Sequence, residues 1–113
     1  MEDEFEASVV RLDEDSLVKL TGTVNRLAKE GIETAYEEAT SLPGRVLLDF
    51  SSVDYINSTG IAVIVGVLAR ARADNREVSA FGLTDHYREV FQITRLADFM
   101  TIYDDQKAAA SAG

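Results

Sequence analysis

The chain has 113 residues, no cysteine, and a formal charge of −9 from twenty acidic and eleven basic side chains. That length suits one domain with a single core of two packed layers, and the missing cysteine excludes disulfides, thiolate catalysis and sulfur-built zinc sites. The acidic surface repels phosphate backbones and argues against a nucleic-acid partner.

Met1-Glu2-Asp3-Glu4 is acidic where a secretory signal is basic and then apolar, so a cytoplasmic protein is expected. Phe5–Val10 and Ser16–Thr21 read as two strands around an acidic turn at Asp13–Asp15. Gly22-Thr23-Val24-Asn25 breaks that pattern. Ala28, Ile32, Ala35, Ala39 and Leu42 then recur at spacings of four and three, the stripe of one amphipathic helix, and Pro43-Gly44 ends it. Arg45–Phe50 predicts a buried strand and Ser51–Ile56 a crossing loop. Asn57-Ser58-Thr59-Gly60 stands directly before Ile61–Ala69, the longest apolar run in the chain.

The β-branched Ile61, Val63, Ile64, Val65 and Val67 favour a strand by propensity. The flanks favour a helix: Ser58 can cap its start, and Ala69-Arg70-Ala71-Arg72-Ala73 continues with helix formers and cations near its end. The run is about half the ~18–20 residues of a membrane span, so it reads as a core element without membrane insertion. Being apolar all round, it should lie largely buried. Val78–Gly82 predicts a strand, Thr84-Asp85 the start of a short helix carrying Tyr87, Val90, Phe91 and Ile93, and Met100–Tyr103 a last short strand. Alternation of this kind predicts an α/β domain over 1–105, a mixed sheet flanked by helices. Residues 106–113 read as a flexible tail of frayed helix or disorder.

A hydroxyl at a helix mouth has two compatible readings. Ser58 can accept a hydrogen bond from a free backbone N–H as a cap, and the same end, with its partial positive charge, tolerates a phosphate. Thr59 is the rival acceptor, expected to turn towards the core or the preceding loop. Asn57 reads as a turn residue; the glycosylation sequon Asn57-Ser58-Thr59 is set aside because no secretory signal precedes it. Asp49 is either an acid near the site or a carboxylate that pins the loop. The lone His86 sits at a polar helix start, where exposure is the default, and cannot form a metal cluster by itself. No glycine-rich phosphate loop with its lysine is present, and a Ser58–His86–Asp triad lacks an orienting partner and an oxyanion hole.

From Arg45 to Tyr103 the chain resembles the STAS domain family, and within it the bacterial anti-sigma-factor antagonists. The resemblance rests on Leu47-Leu48-Asp49-Phe50-Ser51-Ser52-Val53, Ile56-Asn57-Ser58-Thr59-Gly60-Ile61, and the spaced Val90, Ile93-Thr94, Leu96 and Phe99, with Gly22-Thr23-Val24-Asn25 in place of the family's Gly-x-x-Asp loop. It implies a small sheet flanked by helices and a phosphorylated serine at the start of the second helix, the position of Ser58. It implies that the unmodified protein binds an anti-sigma factor that is also a serine kinase, freeing a sigma factor. Phosphorylation ends the contact and a serine phosphatase resets it. ATP then belongs to the kinase, so the chain needs no cofactor and is not an enzyme. A monomer is expected. Asn25, Asp49, Asp54, Asn57, Thr59 and Gly60 are the residues expected to shape the site. A scaffold subunit of a stress-signalling or lipid-transport assembly is the alternative, and a Ser58 hydrolase a remote one.

Three positions depart from the family pattern. Asn57 and Asn25 stand where aspartates are usual, which removes negative charge from the neighbourhood of Ser58 while Asp49 and Asp54 remain. Arg95 replaces the glycine before Leu96, at a cost of about 1 kcal/mol if the backbone there is left-handed.

Overall fold

The computed structural model describes residues 5–112. β1 (Glu6–Leu12) and β2 (Asp15–Val24) form an antiparallel hairpin, followed by a 3₁₀ turn (Arg26–Ala28) and α1 (Lys29–Ala39). β3 (Val46–Ile56), α2 (Ser58–Ala73), β4 (Val78–Phe81), α3 (Asp85–Ile93), a second 3₁₀ turn (Leu96–Asp98), β5 (Thr101–Tyr103) and α4 (Gln106–Ser111) complete the chain. The strands lie in the order β1-β2-β3-β4-β5, antiparallel in the first pair and parallel in the rest. This is the mixed sheet expected from the alternation of elements.

Alternate strand residues divide between the two faces of the sheet. Val18, Leu20, Val46, Leu48, Phe50 and Ala80 face the main core, where they meet Ile32, Ala35 and Tyr36 of α1, Ile64, Val67 and Leu68 of α2, and Phe91 of α3. Leu47 and Phe81 face the other way and are covered by Ala109 of α4. Residues 106–111 of the tail expected to fray are therefore helical. Asp105 caps it by accepting from the Ala108 N–H at 2.9 Å, and fully buried Ala109 closes on the second sheet face.

Four other expectations are corrected. Ser51–Ile56 is strand and not loop, because β3 keeps pairing with Thr21–Val24 of β2 across two register shifts, one before Thr21 and one between Gly22 and Thr23. The same pairing makes Gly22–Val24 strand. The stripe of α1 ends at Ala39; Tyr36 completes it, and Leu42 lies beyond the helix, 51% exposed. α2 buries one face only and leaves Ala62, Val65, Gly66 and Ala69 in solvent. Ile93, at the last turn of α3, is 72% exposed.

Polar groups lock the end of the sheet remote from Ser58. Asp15 accepts from the Arg45 backbone N–H at 2.9 Å and from its guanidinium at 2.9 Å. Burial works against the ionised Asp15 carboxyl, but Arg45, through its hydrogen bonds and charge, holds the pKa below the usual value. Arg95 adopts the left-handed conformation, φ 69°, that its place before Leu96 suggested, and donates from Nε to Asp98 at 2.7 Å.

Buried Tyr36 donates to Asp74 at 2.9 Å. Burial, then this hydrogen bond and the Asp74 charge, push its phenol up to about 12. Folding thus favours the neutral phenol. Its contribution is complete below about pH 10, the ordinary tyrosine value, and is lost as pH rises through about 12. Ultraviolet titration should show one of the four tyrosines ionising near 12, absent in Tyr36→Phe. Its persistence in that variant would refute the assignment.

Candidate functional site: the Asn57–Gly60 turn

The paired ends of β2 and β3 run past the rest of the sheet: β4 leaves β3 at the Asp49–Phe81 pair, whereas β2 follows β3 to the Val24–Ile56 pair. One residue, Asn57, separates this arm from α2. Three backbone constraints hold the junction. The Ile56 N–H donates to the Tyr87 hydroxyl at 2.9 Å. The Asn57 N–H donates to the Val24 carbonyl at 3.3 Å. Gly60 rests on that same carbonyl so closely that a Cβ there would lie 2.0 Å from the Val24 oxygen.

Asn57 is the cap of α2. Its backbone is extended (φ −98°, ψ −177°), its Oδ1 accepts from the Gly60 N–H at 2.8 Å and the Thr59 hydroxyl at 2.7 Å, and its carbonyl accepts from the Ile61 N–H at 2.9 Å. The expectation that Ser58 caps the helix is thereby corrected: Ser58 is the first helical residue. A residue with four polar side-chain sites outcompetes a serine for the capping place when it directly precedes it. Ser58 is exposed, and with both side-chain bonds of the turn made to Asn57 its Oγ is unengaged among the described residues. Thr59 is also exposed but spends its hydroxyl proton on Asn57, turned to the preceding loop and not to the core.

The local field favours an anion at Ser58. The first turn of α2 holds no acidic residue. The first two helical amides, those of Ser58 and Thr59, have no partner inside the helix, and the helix dipole adds about half a positive charge. A phosphate on Ser58 Oγ would meet donors and positive potential.

The remaining predicted residues separate into two groups. Asn25 lies at the same end: it follows Val24, caps the 3₁₀ turn by accepting from the Leu27 N–H at 2.9 Å, and holds Leu27 out in solvent, 77% exposed. Asp54 is the extra residue of the second register shift and is exposed, as is its neighbour Tyr55. Asp49 is elsewhere. It is buried opposite Lys19 and Phe81, seven residues before Ile56 and so about 20 Å back along the strand. Its Oδ1 accepts from the Ser51 N–H at 2.9 Å and the Ser51 hydroxyl at 2.5 Å, so of its two readings the structure favours the pin. His86 is exposed in the first turn of α3 against the Tyr87 ring, centroids 4.8 Å apart. Among the described residues no group of His, Asp or Glu is arranged to hold a metal, and no helix is long and apolar enough to cross a membrane.

Sequence reasoning missed Tyr87, the Val24 carbonyl and Leu27. A half-buried tyrosine needs a partner for its hydroxyl, which was a usable signal, but no local pattern names the Ile56 amide as that partner.

The cap is open to test. Asn57→Ala should lower stability by about 1 kcal/mol, whereas Asn57→Asp, which keeps an acceptor at the helix mouth, should hold it near the parent value. Urea midpoints measure both, and an alanine variant as stable as the parent would remove Asn57 from this role.

A family model described as "Mlab, STAS domain" matches residues 7–102. The chain is 32% identical over 84 residues to the anti-sigma-B factor antagonist of Listeria monocytogenes, covering 74% of each protein. Its fold matches an anti-sigma factor antagonist from Mycobacterium paratuberculosis with a TM-score of 0.81, at 20% identity over 97% of this chain and 94% of that one. It also matches the Bacillus cell fate determinant SpoIIAA in its phosphorylated form, with a TM-score of 0.68 and 18% identity over 97% and 100% of the two chains. With the family model matching all but the first and last residues of the sheet and the Ser58 turn within it, this chain belongs to the STAS domain family, among its anti-sigma-factor antagonists.

Proposed function

We propose that this protein antagonises an anti-sigma factor by partner switching. Unmodified, it binds an anti-sigma factor that is also a serine kinase and so frees a sigma factor. Phosphorylation of Ser58 by that kinase ends the contact, and a serine phosphatase restores it. The chain acts as a binding protein and not as an enzyme, and the nucleotide belongs to its partner. The observation that carries this reading is the spare hydroxyl of Ser58. It is exposed, it is released from capping by Asn57, and it stands in a first helical turn that holds no acidic residue. Asn25, Asp54, Tyr55 and Leu27 surround that end as contacts for the kinase, and Gly60 and Tyr87 keep it in place. A protein of the same fold, SpoIIAA, has been solved in a phosphorylated form, which supports regulation by phosphorylation.

The anti-sigma kinases of the source organism, each incubated with the protein and Mg-ATP, provide the test. One of them should add a single phosphate, mapped by mass spectrometry to Ser58, with Thr59 unmodified and Ser58→Ala inert. Phosphate on Thr59 alone would move the switch, and no phosphate with any kinase would favour the scaffold role.

A further inference from the structure

The outer face of α2 continues the apolar character of its buried face. Val65 is 46% exposed with Ala62, Gly66 and Ala69 beside it. Between α2 and the turn after α3 lies a groove of about 230 Å³ walled by Val65, Leu68, Ala69, Arg72, Leu96 and Phe99. Phe99 is 53% exposed at its rim. Concave apolar surface of this kind can receive an apolar segment of a partner.

Three further observations say what docks there. A Cβ built on Gly66 meets nothing within 4 Å, so nothing in the fold requires a glycine at a mid-helix place where alanine favours the helix. The missing side chain leaves room for the close approach of a body outside the chain. Arg72 lies over the Phe99 ring at 5.6 Å and makes no ion pair among the described residues, so it leaves a free cation on the rim of an apolar groove in a chain of charge −9. Finally, Ser58, Ala62, Val65 and Ala69 follow one another at four, three and four residues, which places them on one face of α2. A protein that covers Ser58 can extend along that face to the groove.

We propose that this groove is a second contact for the kinase that reads Ser58, and that it accepts an apolar helical segment bearing a carboxylate for Arg72. The inference rests on the partner-switching reading. Val65 and Ala69 stand about 10 and 16 Å from Ser58 along the helix axis, beyond the Debye length of ~8 Å at physiological salt. The phosphate therefore acts on the contacts at the helix mouth and leaves those in the groove in place. The two halves of the interface contribute independently.

The test uses the kinase that modifies Ser58 as probe, with calorimetric affinities for the full chain in the unmodified and Ser58→Asp forms. Gly66→Leu should keep or raise the melting temperature of the free protein, yet weaken kinase binding at least tenfold, by the same factor in both forms. Arg72→Glu and Phe99→Ser should weaken it likewise. Unchanged affinity in Gly66→Leu and Phe99→Ser overturns the proposal. So does a dimer in sedimentation velocity that Gly66→Leu dissolves, since the occupant would then be a second copy. Equal affinity of Ser58→Ala and Ser58→Asp sinks the switch alone, whereas no kinase binding by the unmodified protein sinks both.

Discussion

Gly60→Ala is expected to lower stability by about 3 kcal/mol. The added carbon would lie 2.0 Å from the Val24 oxygen and 2.6 Å from its carbonyl carbon, and both obstacles are backbone. Relief requires α2 to lift off the end of β2. That movement breaks the Asn57 N–H bond to the same carbonyl and disturbs the cap that Asn57 makes to the Gly60 amide. Alanine's better helix propensity returns at most about 1 kcal/mol. Gly66→Ala, six residues on and facing open space, is the control. It should hold or raise stability, because only the propensity gain remains. Urea unfolding of both variants decides the matter, and a Gly60→Ala protein as stable as the parent would show that the helix start is not seated on Val24.

Ser58→Asp is expected to weaken the anti-sigma kinase by tenfold or more, while Ser58→Ala binds close to normally. A phosphoserine carries about −1.5 to −2 charges. Opposite one partner carboxylate ~6 Å away, each unit costs ~2–3 kcal/mol at an effective dielectric near 20, less when screened by salt. About 1.4 kcal/mol is already a factor of ten in affinity. The helix mouth opposes none of this. Its free amides and dipole accept the anion, so the modified protein keeps its fold and loses its partner. The expected signature is an unchanged melting curve beside a changed Kd that recovers in part at high salt. Equal affinities for the alanine and aspartate variants would exclude an electrostatic switch at this position.

Much of this site was legible in the chain. The tetrapeptide Asn57–Gly60 between a strand and a long apolar run marks a helix start, because capping chemistry is local and reads from a few consecutive residues. The α/β class, α1 and the αL position of Arg95 followed from periodicity and family pattern for the same reason. Where the sequence was misread, the deciding contact was distant. Ser51–Ile56 has the polar composition of a loop and becomes strand only because β2 offers it a partner. Residues 106–111 are too few to stand as an isolated helix and become one where Ala109 meets Leu47 and Phe81.

Local chemistry thus determined which residues could sit at the helix mouth, since a cap, a hydroxyl and a glycine act within one turn of backbone. Tertiary structure decided their roles. The Val24 carbonyl makes Gly60 obligatory, the Tyr87 hydroxyl pins the strand end, and Asp49 is carried away from the turn. The α3 side of the molecule turns the apolar outer face of α2 into a groove. Each of these depends on groups far apart in the chain, and hydrophobic period and propensity carry no information about which distant backbone group will lie opposite.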